Sequence, residues 1–449
     1  MKLACVGPLS PLRTGVAHFS ENLLPFLAEY CEVTLFTDAY PPSPTPILKR
    51  FQTSHISELT SKRSSFDIAL YHMGNHYGYH RSVFDALCRL PGLVILHDCV
   101  LNQFFAKYAL ERGNFHVFKN LLKLCYPDIT NAEVAEFFKA EADPYRFPLA
   151  GVVARAACGV IVLNEYARAI VLNEAPASNI LKIAHPYFPS AEGAESVQSL
   201  RKKLGLSDGC FVVASVGHMT PAKRIDVAIE AFEKFKDECP ESVFLLAGQV
   251  SGLPLDRMIR RSSSDKIRYL GYLGDSEFSQ LMQLGDVFVN LRYPSSGEMS
   301  GTLLHMLGRG KVVVVSNYAQ FAEFPDGMCV KVDLGPDEVD DLAGQLLRLA
   351  RDPERRAGIG DAARRYIAQN HTRDAAAKDI VRFAETILES GAEPTMSAAD
   401  VETLLRPDAF PNRIRQSIAY QTRRLLQHCR RYGMVPTLRS AVKKSFTER

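Results

Sequence analysis

Ten short runs of Val, Ile, Leu and Phe recur along this chain, each followed by glycine or polar punctuation and then by a stretch with helical spacing. In the first half they are LACVG, EVTLFTD, DIALYHM, GLVILHD and GVIVLN; in the second, FVVASVG, SVFLLAG, KIRYLGY, DVFVNLR and KVVVVSN. Apolar runs without alternation suit strands buried on both faces, hence parallel sheets covered by helices. Two such series predict an α/β protein with two Rossmann-like, doubly wound domains. A chain of 449 residues is long enough for two cores.

The Pro-, Ser- and Gly-rich stretch KIAHPYFPSAEGAESVQS marks the join, so the domains are expected at 1–188 and 189–370. A helix-rich insertion is expected at about 100–150, carried by VFKNLLKLC and AEVAEFFKAEA. After the second domain, a helix over 371–390 is expected to cross back to the first, and 391–449 reads as a linker and a basic helical tail. From Val401 onward the tail carries eleven Lys and Arg against three acids, more than accounting for the net charge of +3. Its Ile414, Ile418, Leu425 and Cys429 share one helical face. Such a helix could lie on anionic lipid or pack back on the first domain, and both remain open.

A hydrophobic content of 47% and charged content of 23% are those of a folded chain. The small net charge gives no reason to expect a nucleic-acid partner. Ten scattered cysteines without a C-x-x-C suggest reduced thiols rather than a zinc ribbon or redox pair. The N-terminus lacks the apolar core of a signal peptide, and no run approaches the roughly 18 residues of a membrane span. A cytoplasmic location is expected, with peripheral contact at the inner membrane face if the tail binds lipid.

In open α/β sheets ligands sit beyond the carboxyl ends of strands, where helix N-termini point free N–H groups. Three segments occupy that position. Gly15 opens a helix after the first strand; Lys223 and Arg224 stand at a helix start, where a bound anion would relieve their clash with the macrodipole. Ser300, Gly301 and Thr302 precede the apolar LLHML, with the lone acid Glu298 just before them. No G-x-G-x-x-G occurs, so a nicotinamide fingerprint is absent. His72, His76 and His80 in YHMGNHYGYH admit metal binding, although a loop lining an acceptor site accounts for them as well. The acids DEVDD at 337–341 read as a solvated helix start.

The segments VGHMTPAKRID, GYLGDSEFSQLMQLGDVFVNLRYPSSGEMSGTLLHMLGRGKVVVVSN and LHD occur in an order that resembles the retaining family 4 glycosyltransferases. The similarity covers roughly residues 1–385, in particular with bacterial members carrying a GE-x-SG donor loop. The resemblance implies the GT-B fold, two Rossmann-like domains facing across a cleft. It implies transfer of a sugar, with retention of configuration, from a nucleoside-diphosphate sugar to a glycan, lipid-linked or small-molecule acceptor in glycan, polysaccharide or glycolipid synthesis. No cofactor and no metal are expected, the cations standing in for one.

Carried over residue by residue, His97, Lys223 and Glu298 would be catalytic, with Lys223 at the diphosphate and His97 and Glu298 at the transferred sugar. Gly15 would offer its N–H to phosphate, with Arg224, Ser300, Gly301 and Thr302 also on the donor. His218 stands where relatives often have arginine, and Tyr272 where backbone holds the base. His305 replaces the family's second, ribose-binding glutamate, and Glu298 sits one residue late, which implies a shortened loop. A catalytically inactive GT-B partner subunit or a nucleotide-sugar 2-epimerase would share this fold. His218 and His305 favour the former, and the acids required by the latter are not located.

Overall fold

In the computed structural model, residues 1–111, 115–138, 143–189 and 197–405 are described. They divide into two compact units. Among the described residues, the first comprises Met1–Pro186, the short loop Ser296–Met299 and residues 371–405; the second comprises Tyr187–Ser295 and Ser300–Asn370.

Unit 1 contains the strands β1 (Lys2–Val6), β2 (Glu32–Thr37), β3 (Gln52–His55), β4 (Ile68–Met73), β5 (Leu93–Leu96), β6 (Gly159–Val162) and β7 (Ile180–Lys182). They form one sheet in the order β3-β2-β1-β4-β5-β6-β7, parallel at every pairing. Its helices are α1 (Gly15–Leu27), α2 (Tyr77–Arg89), α3 (Asn102–Glu111), α4 (Phe115–Cys125), α5 (Asn131–Phe138), α6 (Ala150–Ala156) and α7 (Glu165–Glu174).

Unit 2 begins with α8 (Val197–Lys203) and holds β8 (Phe211–Val216), β9 (Ser242–Ala247), β10 (Ile267–Gly271), β11 (Val287–Asn290), β12 (Val312–Ser316) and β13 (Val330–Val332). These also form a parallel sheet, in the order β10-β9-β8-β11-β12-β13. Around it lie α9 (Ile225–Glu238), α10 (Leu253–Ser262), α11 (Asp275–Leu284), α12 (Gly301–Gly308), α13 (Glu338–Arg351) and α14 (Pro353–Asn370). Two further helices, α15 (Arg373–Ser390) and α16 (Ala398–Leu405), return to unit 1. Every residue of β4, β8, β9 and β12 is buried, as expected for strands covered on both faces.

In each sheet one adjacent pair marks the reversal of strand order, β1/β4 in unit 1 and β8/β11 in unit 2. The loops leaving these strands are the ones that carry most of the expected site residues. The helix α15 packs on α1, with Tyr30 donating its hydroxyl to Asp374 at 2.6 Å and Arg373 stacked 4.7 Å from the Phe26 ring. The following stretch docks on the same unit: Met396 donates its N–H to the Arg155 carbonyl, Val401 is buried, and α16 packs against α4 and α2. Ile414, Ile418, Leu425 and Cys429, the apolar face expected of the tail, lie outside the described residues. Among the described residues no helix is long and apolar enough to cross a membrane, and the nine described cysteines are free.

The helical insertion is fastened by one buried acid. Glu174, at the end of α7, accepts N–H groups from Leu149 at 2.9 Å and Gly151 at 2.7 Å, and the hydroxyl of Tyr126. Its carboxylate satisfies orphan N–H groups at the start of α6, where Leu149 adopts φ +63°. Removing the carboxylate strands two buried donors. Glu174→Ala should therefore lower unfolding free energy by about 3 kcal/mol or more, read from the urea midpoint. Glu174→Gln, which keeps an acceptor, should lose distinctly less.

Candidate functional site

In unit 2 the loop after β8 and the start of α12 converge. Gly217 has φ +109°, and a Cβ there would lie 2.8 Å from Lys223 Nζ and 3.2 Å from Thr302 Oγ1. Glycine is thus required both by backbone conformation and by the close approach of an ammonium and a hydroxyl. Lys223 is only 9% exposed, and its Nζ reaches the Val216 carbonyl at 3.4 Å. The hydroxyl of Ser300 caps α12, accepting the Leu303 N–H at 3.2 Å. Gly301 follows as the first helical residue, and the space a side chain would take there is empty. The cluster has the elements of an anion cradle: a buried cation, a hydroxyl and an uncovered helix N-terminus.

His218, Arg224, Tyr272 and His305 belong to the same unit in different settings. The His218 Nε2 pairs with Ser251 Oγ at 2.6 Å. Burial, and then the neighbouring Lys223 charge, lower its pKa and favour the neutral ring. Arg224 adopts φ +49° and gives its guanidinium to the carboxylate of Glu338, with Nε at 3.0 Å from Oε1 and a second bond from Nη2 to Oε2. Glu338 is 2% exposed, so this pair is a buried bidentate tie between the β8–α9 loop and the start of α13. In this arrangement Nε and Nη2 of Arg224 are engaged by Glu338. Tyr272 is 68% exposed. His305 lies edge-on to the rings of Tyr187 and Phe278, with centroids 5.6 and 6.1 Å away.

Unit 1 holds the remaining residues. Gly15 is the first residue of α1, just after the cap Thr14, and its missing side chain faces open space. No packing within the unit demands a glycine there. His97 follows β5 at the carboxyl edge of the sheet and is 8% exposed; its Nε2 lies 3.1 Å from Nδ1 of His72 on β4. His80 on α2 bonds through Nδ1 to the His72 carbonyl at 3.1 Å. The ring of Phe19 stands edge-on to His72, His97 and His185. Burial pushes His72 and His80 down to about 3 and His185 to about 4, and holds His97 well below its ordinary range.

Glu298 lies only two residues before Ser300, yet the loop Ser296–Met299 groups with unit 1. Cys99 donates its N–H to the Ser296 carbonyl at 2.7 Å, and Asn164 donates Nδ2–H to the Gly297 carbonyl at 2.8 Å. The Glu298 carboxylate folds back on Ser296, accepting its N–H at 3.1 Å and its hydroxyl at 2.7 Å. Ser296 Oγ also lies 3.3 Å from Asp98 Oδ1, and Asp98 Oδ2 accepts the Asn75 N–H. These supporting residues, Asp98, Asn164 and Ser296, went unremarked in the sequence, though Asp98 completes LHD. His76, the third histidine of YHMGNHYGYH, is exposed and stacks on Tyr79. Among the described residues no group of three His, Cys, Asp or Glu could hold a metal ion.

Residues 210–352 match the family model described as Glycosyl transferases group 1. The alpha-monoglucosyldiacylglycerol synthase of Acholeplasma laidlawii is 30% identical over 173 residues, covering 38% of this chain and 42% of that one. A GDP-mannose-dependent monoacylated alpha-(1-6)-phosphatidylinositol monomannoside mannosyltransferase of Corynebacterium glutamicum is 26% identical over 178 residues, covering 38% and 46%. The matched region thus spans less than half the length of these curated relatives. Anabaena HepE, solved with UDP-glucose, superposes with a TM-score of 0.63 at 16% identity, over 86% of this chain and all of that one. The fold is GT-B, two Rossmann-like domains with parallel sheets, and it continues into a helical C-terminal region.

Two outcomes follow from the geometry alone. Arg224→Ala leaves the Glu338 carboxylate buried without its fork and should cost about 3 kcal/mol in urea unfolding. Arg224→Gly should cost less, because glycine takes φ +49° without the penalty an L side chain carries. The histidine cluster sets an acid limit. Its pKa values are depressed in the folded state, so its stabilising contribution is complete above about 6.5 and is lost as pH falls toward 4 and below. His72→Phe should flatten the dependence of unfolding free energy on pH by up to one proton's worth, about 1.4 kcal/mol per pH unit, between pH 6 and 4.

Proposed function

We propose that this protein is a glycosyltransferase that moves a sugar from a nucleoside-diphosphate sugar to a glycan or lipid-linked acceptor, in glycolipid or polysaccharide synthesis. The observation that carries the reading is the cradle in unit 2. Lys223 Nζ and Thr302 Oγ1 close on Gly217 beside the open N-terminus of α12. The matched family region, 210–352, contains every one of these residues. The glycolipid enzymes named above support the acceptor class, and the UDP-glucose held by HepE supports the donor class.

As the anomeric C–O bond breaks, negative charge grows on the departing diphosphate and positive charge on the sugar ring. Lys223 and the Gly301 and Thr302 N–H groups are placed to stabilise the first, worth about 10²–10³ in rate per donor in comparable sites. Glu298, held by Ser296, is the carboxylate assigned to the second, and His97 is assigned to the sugar. Retention and independence of metal follow the family resemblance; Lys223 and the helix N-terminus take the part a divalent ion plays elsewhere. His218, neutral, and His305, between two aromatic rings, also fit a second reading, an inactive subunit that binds a sugar nucleotide without turning it over.

A thermal-shift screen against UDP-, GDP-, ADP- and dTDP-sugars identifies the donor, and slow donor hydrolysis separates an enzyme from an inactive binder. With the donor in hand, Glu298→Gln should lower kcat at least about a hundredfold while leaving affinity for the nucleoside diphosphate within about threefold. His305→Ala should weaken nucleotide binding and change turnover at saturation less. Full activity in Glu298→Gln would remove this carboxylate from the site, and absence of both transfer and hydrolysis with every donor would favour the inactive subunit.

A further inference from the structure

The strand β11 reads VFVN, three apolar residues and then a polar one, and all four are buried. Asn290 closes the strand at 3% exposure, and its Nδ2 has no hydrogen-bond partner among the described residues. Buried polar groups are almost always paired, and a bare N–H costs more than a bare carbonyl oxygen. The place of Asn290 in the sheet supplies the missing partner.

Alternation along the strand decides which way the side chain points. Val287 and Val289 belong to the core shared with Phe232 of α9 and Leu342 of α13, so Phe288 and Asn290 point to the opposite face. That face carries α12, which packs on β12 and whose Leu303, Leu304, Met306 and Leu307 are buried outside that core. On the neighbouring strand Val287 pairs with Val213 and Phe288 with Ala214. The same offset sets Asn290 level with Val216, whose carbonyl takes Lys223 Nζ and which immediately precedes Gly217. Just beyond Asn290, Tyr293 donates its N–H to the carbonyl of Ala222 at 2.8 Å, which ties this strand end to the residue before Lys223.

We propose that Asn290 is a further ligand of the anion in the unit 2 cradle, its amide N–H donating to an oxygen of the nucleoside diphosphate that Lys223, Thr302 and the N-terminus of α12 also bind. This rests on the reading of the cradle as the diphosphate site and deepens it by adding a neutral donor from the strand beneath. Neutrality matters at that place. A carboxamide neither repels the Lys223 ammonium before an anion binds nor neutralises it, whereas a carboxylate would pair with it and repel the anion.

Isothermal titration of the full chain with UDP, GDP, ADP, dTDP and inorganic pyrophosphate tests this, together with melting temperatures of the ligand-free protein. Asn290→Leu keeps the branched shape and removes the donor. No bond inside the protein is lost, so its melting temperature should equal or exceed that of the wild type. Its affinity for whichever of these anions the wild type binds should nevertheless fall about tenfold to a hundredfold, as for a lost hydrogen bond to a charged group. A residue with a merely structural role would show the reverse. Asn290→Asp, which is the same size, should bind more weakly still than Asn290→Leu, because its carboxylate competes with the anion for Lys223.

Affinity in Asn290→Leu within about threefold of the wild type would overturn the inference and leave the glycosyltransferase reading standing. Melting temperatures clearly below the wild type in both variants would also overturn it, since the amide would then be satisfied within the protein. Should Asn290→Leu fail to fold, Asn290→Asp decides, and undiminished binding by that variant overturns the inference. Failure of the wild type to bind any of the five anions would instead remove the cradle as a diphosphate site, and the proposed function would fall together with the inference.

Discussion

Parallel pairing is the constraint from which the rest of this structure follows. A strand cannot reach a parallel neighbour through a tight turn, so each must be followed by a crossover, here almost always containing a helix. All strands in a sheet then end at the same edge, and the helices that follow begin there with unpaired N–H groups. Gly15 after β1, Lys223 after β8 and Ser300–Thr302 after β11 are all products of that geometry. So are His72 and His97, on or just beyond neighbouring strands whose pairing sets Met73 opposite Leu96. The imidazole pair therefore inherits its alignment from the backbone ladder.

The same constraint explains how much of the fold was legible. All ten apolar runs are strands, because covering a strand on both faces leaves no room for polar residues. The three strands that escaped are β3, β7 and β13, and each lies at the edge of its sheet. The residues of β3 read QTSH, with only Ser54 buried, and β7 has no buried residue at all. An edge strand is held by one neighbour and faces solvent, so hydrogen bonding defines it where composition does not. The return of α15 and α16 to unit 1 likewise depends on contacts such as Tyr30 with Asp374, hundreds of residues apart.

At the candidate site, position was more legible than chemistry. Glycine at the mouth of a helix, Lys223 in a loop after a strand and a hydroxyl before LLHML can be read directly. Whether a charged side chain is available to a ligand cannot, because its partner lies elsewhere in the sequence. Arg224 and Lys223 are adjacent and look alike as anion ligands. Glu338, 114 residues further on, distinguishes them by taking the arginine's fork. The histidines show the converse. His72, His76 and His80 admit a metal when read in sequence, yet His72 sits on a strand and His80 on a helix, joined by a bond to the His72 backbone carbonyl.

Burial also determines how charge is distributed among these groups. Among the described histidines, His72, His80, His97, His185 and His218 all have lowered pKa values, with desolvation the largest cause in each. A neutral imidazole binds by direction rather than by field, so its contribution depends on which nitrogen holds the proton. A lysine makes no such distinction: three rotatable donors and a full charge serve any oxygen within reach. Charge and direction are thus assigned to different residues. Lys223, 9% exposed beside Gly217, contributes charge. His97, bonded through Nε2 to His72, can contribute direction instead.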